Sequence, residues 1–282
     1  MKNILLLTDF TSKSENAIDY ALQLFTGQSC DFHLLSVQKF WEYTMDDLMV
    51  ANPKDDIASA LLNDNKSDLQ KVKEALVVRS KGEKFSFQTM VDYDVFTSAV
   101  NDAVKKYQID LIICGTDGKN GIIEYIFSSH TLRVIRNTDC PILTIPEAYQ
   151  FHKPTAVQYV LDYDDVFKVC GKELFLEIVT KFASTINVIR FNHGFQLEPI
   201  NYREERESFI NFCMPSPVIY ELHKDQEPLK IIKKSLSSRN YQLQAISVKS
   251  QSFLERMISE SHISEIVNAA TLPLLVLRDC NS

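Results

Sequence analysis

The first residue in this chain placed to do chemistry is an aspartate directly after an apolar run, Ile4-Leu5-Leu6-Leu7-Thr8-Asp9. A later run, Leu111 to Cys114, opens into Gly115-Thr116-Asp117-Gly118-Lys119-Asn120-Gly121. Ser128 and Ser129 lie ten and eleven residues beyond Gly118. Glycines after a strand permit positive φ and close backbone approach, so that successive N–H groups can turn towards a phosphate. Hydroxyls at a helix start add donors where the helix end already favours an anion. Asp9, at the same end of the fold, suits a ribose hydroxyl or a metal–phosphate unit. Each residue also has a plainer use: the glycines as a turn, Asp9 and Ser129 as helix caps. The loop is neither a Walker A loop, since no Gly-Lys-[Ser/Thr] follows, nor the Gly-rich turn of a dinucleotide fold after the first strand.

Other chemistries find little support. Ser129-His130 and Ser261-His262 are sequence neighbours within helical stretches, where adjacent side chains point apart, so neither makes a nucleophile–base pair. With no nucleophile and spaced base, no catalytic residue is expected; the six histidines show no HxxxH or HExxH spacing, so no zinc or other metal ligands are expected. Thirty basic against 37 acidic residues give a net charge of −7, which argues against a nucleic-acid groove. Cys114, Cys140 and Cys170 have no CxxC partner and read as buried thiols. No run approaches the roughly 20 apolar residues of a membrane span, and Asp9 cuts the first apolar run too early for a signal peptide. A cytoplasmic protein without membrane contact is expected.

Elements that could hold these residues alternate regularly. The sequence predicts strands over 4–7, 32–37, 85–91, 110–114 and 142–145. Helices are predicted from residue 12 to the glycine at 27, over 56–79, 95–107 and 129–137. Ser12 followed by Glu15 fits a capping box for the first of them. Strands joined by helices call for parallel crossovers, hence an α/β fold: an open, mostly parallel five-stranded sheet with helices on both faces. Ligands in such sheets sit at the C-terminal strand ends, where the chain order reverses. That rule selects Asp9, the segment following Val37, and the loop from Gly115.

The second half repeats the first. Shifting residues 107–145 by 132 lays Ser129-His130 on Ser261-His262 and Pro141 on Pro273, while Asp9 falls on Asp162 at a shift of 153. The second copy is therefore 21 residues shorter in its middle. One matched piece would mean little; several in one register indicate duplication. Strands are predicted near 157–162, 186–191, 217–222, 242–247 and 274–277, and helices near 165–184, 203–212, 226–236 and 252–269. The proline-flanked segment 146–154 separates a domain at 1–148 from one at 153–282, giving two tandem five-stranded sheets. Both final strands are strongly apolar and would be bare edges, so 142–145 and 274–277 are expected to pair with each other.

Asn3-Ile-Leu-Leu-Leu-Thr-Asp9, Asp110-Leu-Ile-Ile-Cys-Gly-Thr-Asp-Gly118 with Ser128-Ser129, and Thr131 through Pro146 together resemble the universal stress protein family. The chain is similar to a tandem member whose second domain is degenerate, with a Rossmann-like adenine-nucleotide-binding fold. The resemblance implies a bacterial protein of stress response or regulation. It further implies one ATP with Mg2+ in the N-terminal domain, at most weak ATPase activity, and dimerisation through the strand that ends the domain. The matching site residues are Asp9, Gly115, Gly118 and Ser129, with Ser128 where the family carries its third glycine and the segment after Val37 for the adenine.

The sequence departs from that pattern in the Val91-Asp92-Tyr93-Asp94-Val95 segment, which lacks the family's Gly-x-Pro. In the second copy Gly115 maps to Ser247, Gly118 to Ser250 and Ser128 to Glu260, so no phosphate site is expected there. An interaction scaffold of the same fold, binding an unknown protein partner and no nucleotide, is the alternative. A nucleotide-dependent transferase or ligase would need a glycine loop straight after strand one, and Thr8 to Lys13 contains no glycine.

Overall fold

A computed structural model describes residues 1–37, 57–92, 96–116, 138–161, 171–192, 199–224, 228–248 and 272–278. The strands are β1 (Lys2–Leu7), β2 (Ser29–Val37), β3 (Lys84–Asp92), β4 (Leu111–Thr116) and β5 (Ile142–Pro146), then β6 (Ala156–Leu161), β7 (Thr185–Asn192), β8 (Val218–Lys224), β9 (Leu243–Val248) and β10 (Leu274–Arg278). The described helices are α1 (Ser12–Phe25), α2 (Ile57–Arg79), α3 (Phe96–Tyr107), α4 (Lys172–Lys181), α5 (Pro199–Cys213) and α6 (Pro228–Ser238). The helices predicted over 129–137 and 252–269 lie outside the described residues.

The strands form one ten-stranded sheet in the order β3-β2-β1-β4-β5-β10-β9-β6-β7-β8. The α/β architecture is as the sequence predicts, but the two expected sheets are one. The reason is the edge pairing: β5 and β10 meet antiparallel, Thr144 opposite Leu274 and Ile142 opposite Val276, while the other strand pairs are parallel. Two apolar strands with unpaired N–H and C=O groups satisfy each other at the centre of the sheet.

Pairing registers carry the sequence shifts into three dimensions. Ile4 lies opposite Leu111 and Val157 opposite Leu243, which are shifts of 153 and 132. Gly115 pairs with Ile145 and Ser247 with Leu277, both shifted by 132. The shortening falls between the second and third strands of each half. Phe32 and its partner Phe87 are 55 residues apart, whereas Ile186 and Val218 are 32 apart. Correspondingly, α2 has 23 residues and α5 has 15.

Every described helix lays an apolar stripe on the sheet, where burying a large aliphatic or aromatic side chain is worth roughly 1.5–3 kcal/mol. One face carries α1, α2, α4 and α5 over Ile4, Leu6, Phe32, Ile113, Tyr159 and Leu275. The other carries α3 and α6 over Leu5, Leu7, Ile112, Val160 and Val276. The α4 helix ends at Lys181, three residues before the predicted end. There Ala183 turns to φ +49° and the Ser184 N–H returns to the Val179 carbonyl.

Polar contacts lock the halves together around the linker. The Lys181 ammonium of α4 donates to the Leu24 and Thr26 carbonyls at the end of α1, 2.7 Å each, complementing the negative end of that helix. Asn16 of α1 donates to the Pro146 and Tyr149 carbonyls, 3.1 Å each. The Tyr149 hydroxyl donates to the Gln242 carbonyl, and Tyr20 stacks edge-on against Phe151 with centroids 5.1 Å apart.

Candidate functional site

The chain leaves β1 for β2 and β3 on one side, then returns to β4 on the other. The strand order therefore reverses between β1 and β4, and the crevice lies beyond their C-terminal ends. Asp9 stands just past β1, Gly115 is the penultimate residue of β4, and Val37 ends β2, opposite Asp92. Three sequence-selected residues thus share one end of the sheet. Gly118, Ser128 and Ser129 lie outside the described residues, as do Asp162, Ser250, Glu260 and Ser261 of the second copy.

The turn from β1 into α1 is tightly organised by short side chains. Phe10 adopts φ +61°, and its N–H donates to the Thr8 hydroxyl at 3.1 Å. Thr8 and Ser14 hydroxyls lie 3.2 Å apart in the interior, and Ser14 donates to the Thr11 carbonyl. Asp9 accepts from the Thr11 N–H at 3.1 Å and from its hydroxyl at 2.5 Å. Burial pulls the Asp9 carboxyl up, but the two Thr11 bonds, the Ser14 hydroxyl and the Lys13 charge outweigh it and hold it below its ordinary value. It is a carboxylate at neutral pH, and it organises the helix entry as a cap would.

The predicted capping box does not form. Thr11 is the N-cap, with no side-chain cap bond, and the Ser12 hydroxyl donates instead to Glu147 at 2.6 Å. Glu147 is held by its own N–H, which donates to the Thr116 carbonyl at the end of β4. The Ser12 hydroxyl is engaged by a carboxylate from just beyond β5, a long-range contact that no local spacing reveals.

Gly115 serves the packing as well as the loop. A Cβ placed on it would sit 2.3 Å from the Lys13 carbonyl oxygen and 3.1 Å from the Ser14 nitrogen. The first turn of α1 rests directly on the β4 backbone, an approach that a glycine alone allows.

Residues 1–146 match the model of the universal stress protein family. The chain belongs to that family. Solved structures extend the likeness over its full length. A universal stress protein from Archaeoglobus fulgidus superposes with a TM-score of 0.71 at 13% identity, covering 98% of each chain. A candidate universal stress protein from Pseudomonas aeruginosa gives 0.55 at 14%, covering 99% of this chain and 93% of that one. The cytoplasmic domain of a prokaryotic cation chloride cotransporter gives 0.57 at 10%, covering 99% and 95%. At such identities the likeness is one of fold. No curated protein matches the sequence.

Within this universal stress protein the second half builds the corresponding corner differently. Ser247, in the place of Gly115, has its hydroxyl 2.6 Å from that of Tyr159, which stands where β1 has Leu6. The Tyr159 ring packs against Phe175 and Phe209, with centroids 4.9 and 5.1 Å away. One strand over, Arg190 replaces Ser36 and is 1% exposed. Its guanidinium grips Glu205 of α5 through Nε at 3.0 Å and Nη2 at 3.1 Å, and the Tyr220 hydroxyl donates to the same carboxylate. Among the described residues no group of three or more His, Cys, Asp or Glu is placed to hold a metal, and no helix is long and apolar enough to cross a membrane.

Proposed function

We propose that the N-terminal domain, residues 1–148, binds one ATP with Mg2+ in the crevice between β1 and β4, and that the domain at 153–282 binds none. The protein then acts in stress response or regulation in the cytoplasm, its state reported by that nucleotide to a protein partner or a second copy of the chain. The observation that carries this reading is the convergence at the strand-order reversal. The ionised Asp9, the end of β2 at Val37 and the glycine entry of the loop from Gly115 share one end of the sheet beside the start of α1. Asp9 would meet the ribose or the metal, and the N–H groups from Gly115 to Gly118 with Ser128 and Ser129 the phosphates. The segment after Val37 would meet the adenine.

One observation favours the scaffold reading instead: Asp9 already spends one oxygen on the N–H and hydroxyl of Thr11. Its other oxygen must then do the binding. Native mass spectrometry of the intact chain with ATP and Mg2+ distinguishes the two. A single nucleotide mass per chain supports the binding reading; an unshifted chain at millimolar ATP supports the scaffold.

A further inference from the structure

On the sheet face covered by α6, the second half carries a row of amides where the first half is largely apolar. Gln244 of β9, Gln158 of β6 and Asn187 of β7 are register neighbours, and their exposures are 2%, 0% and 2%. The corresponding residues of the first half are Ile112, Leu5 and His33. Burying three amides is costly unless each polar atom finds a partner.

The bonds present run in one direction. The Gln244 Nε2 donates to Gln158 Oε1 at 2.7 Å. Asn187 Nδ2 donates to the Tyr241 hydroxyl at 2.8 Å, and that hydroxyl lies 3.2 Å from the Ser235 hydroxyl of α6. Tyr241 thus accepts from Asn187 and shares a bond with Ser235 in which either hydroxyl can donate. The chain is interrupted once, between the second and third amides. Gln158 Nε2, a donor, and Asn187 Oδ1, an acceptor, are both buried without a hydrogen-bond partner.

We infer that this interruption is a binding site for one internal water molecule. Parallel strands lie about 4.8 Å apart, so two amides in register can both reach a single small molecule between them. The missing partner must accept from Gln158 and donate to Asn187, and it must be neutral, because the row consists of amides and hydroxyls. Water meets all three demands, and buried waters characteristically satisfy polar groups of this kind. With it the row runs unbroken from Gln244 on β9, beside the central strands, to Ser235 on α6. The site does not depend on nucleotide binding in the first half.

The test is a crystal structure of the full chain at a resolution that shows ordered solvent. The expected result is one water within about 2.7–3.2 Å of both Gln158 Nε2 and Asn187 Oδ1. A direct Gln158–Asn187 bond, or two atoms with no neighbour, would overturn the assignment. A second arm gives β6 and β9 the first-half residues at these positions, Gln158→Leu with Gln244→Ile. That variant should keep the fold and lose the water; a water retained at the same place would contradict the role given to Gln158. If the variant fails to fold, the unmodified chain decides.

Discussion

Gly115 and Ser247 occupy the same position in the two halves, yet what surrounds them has little in common. Around Gly115 the backbone of α1 comes down onto β4, with the Lys13 carbonyl where a Cβ would be. Around Ser247 a tyrosine fills the corner, the hydroxyls of Tyr159 and Ser247 bonded to each other. The first half sets the start of α1 directly on the end of β4. The second half has invested the same place in aromatic packing and, one strand over, in the Arg190–Glu205 pair. The first glycine of the motif therefore has a packing reason of its own. Its loss in the second half came with a rebuilt corner.

The comparison can be broken most forcefully at the buried ion pair. Glu205→Ala strips Arg190 of its carboxylate and should cost about 3–5 kcal/mol in urea unfolding. Replacing both residues by leucine should recover most of that loss. A Glu205→Ala variant as stable as the parent would mean that the pair does not hold α5.

Next in size is Gly115→Ala. The clash is with backbone, so α1 must shift, and a cost of about 1–3 kcal/mol is expected from overpacking. The cross-peaks of residues 8–15 in an amide NMR spectrum should move with it. Unchanged peaks and stability would place the glycine's role in the loop alone. The matching change in the other half, Ser247→Ala, removes the hydroxyl–hydroxyl bond to the buried Tyr159 and should cost about 1–2 kcal/mol, with the first-half peaks unmoved.

The smallest effect is a pH dependence. His33 is buried on β2 beside the Tyr107 ring of α3, centroids 4.6 Å apart, and both ring nitrogens are without partners. Burial lowers its pKa below 6.5, with Asp31 on the same strand opposing the shift. The folded state thus binds the proton less readily than the unfolded chain. The contribution is fully present above 6.5 and is lost as pH falls from there towards the depressed folded value. His33→Asn, giving β2 the residue that β7 carries at Asn187, should flatten the stability profile between pH 7 and 5. An unaltered slope would assign the dependence elsewhere.

Much of the architecture was legible because it depends on period and length. Apolar runs of four to six residues marked the strands, and the shift of 132 that aligns Pro141 with Pro273 reappears in the registers of β4–β5 and β9–β10. The central pairing followed from two apolar strands that would otherwise end in bare edges. What the sequence hid was long-range. Ser12 looks like half of a local capping box, and only the fold brings Glu147 to it. Gly115 reads as a loop glycine because the carbonyl it makes room for belongs to a turn a hundred residues earlier. Arg190 and Glu205 are 15 residues apart on different elements, with no periodic signal linking them. In the candidate site, Asp9, Val37 and Gly115 were found by the rule for strand ends, but Thr8, Ser14 and Glu147 were missed, being short or exposed residues recognisable only by what they touch.

The central claim is that one half binds a nucleotide and the other does not, and calorimetric titration of the intact chain with ATP and Mg2+ tests it most directly. A stoichiometry near one is predicted, abolished by Gly118→Val, whose branched side chain would crowd the phosphates proposed to lie against the loop. The same stoichiometry should persist in Ser250→Ala, the matching position of the second half. Two nucleotides per chain, heat that survives Gly118→Val, or no heat from the unmodified protein would contradict the account.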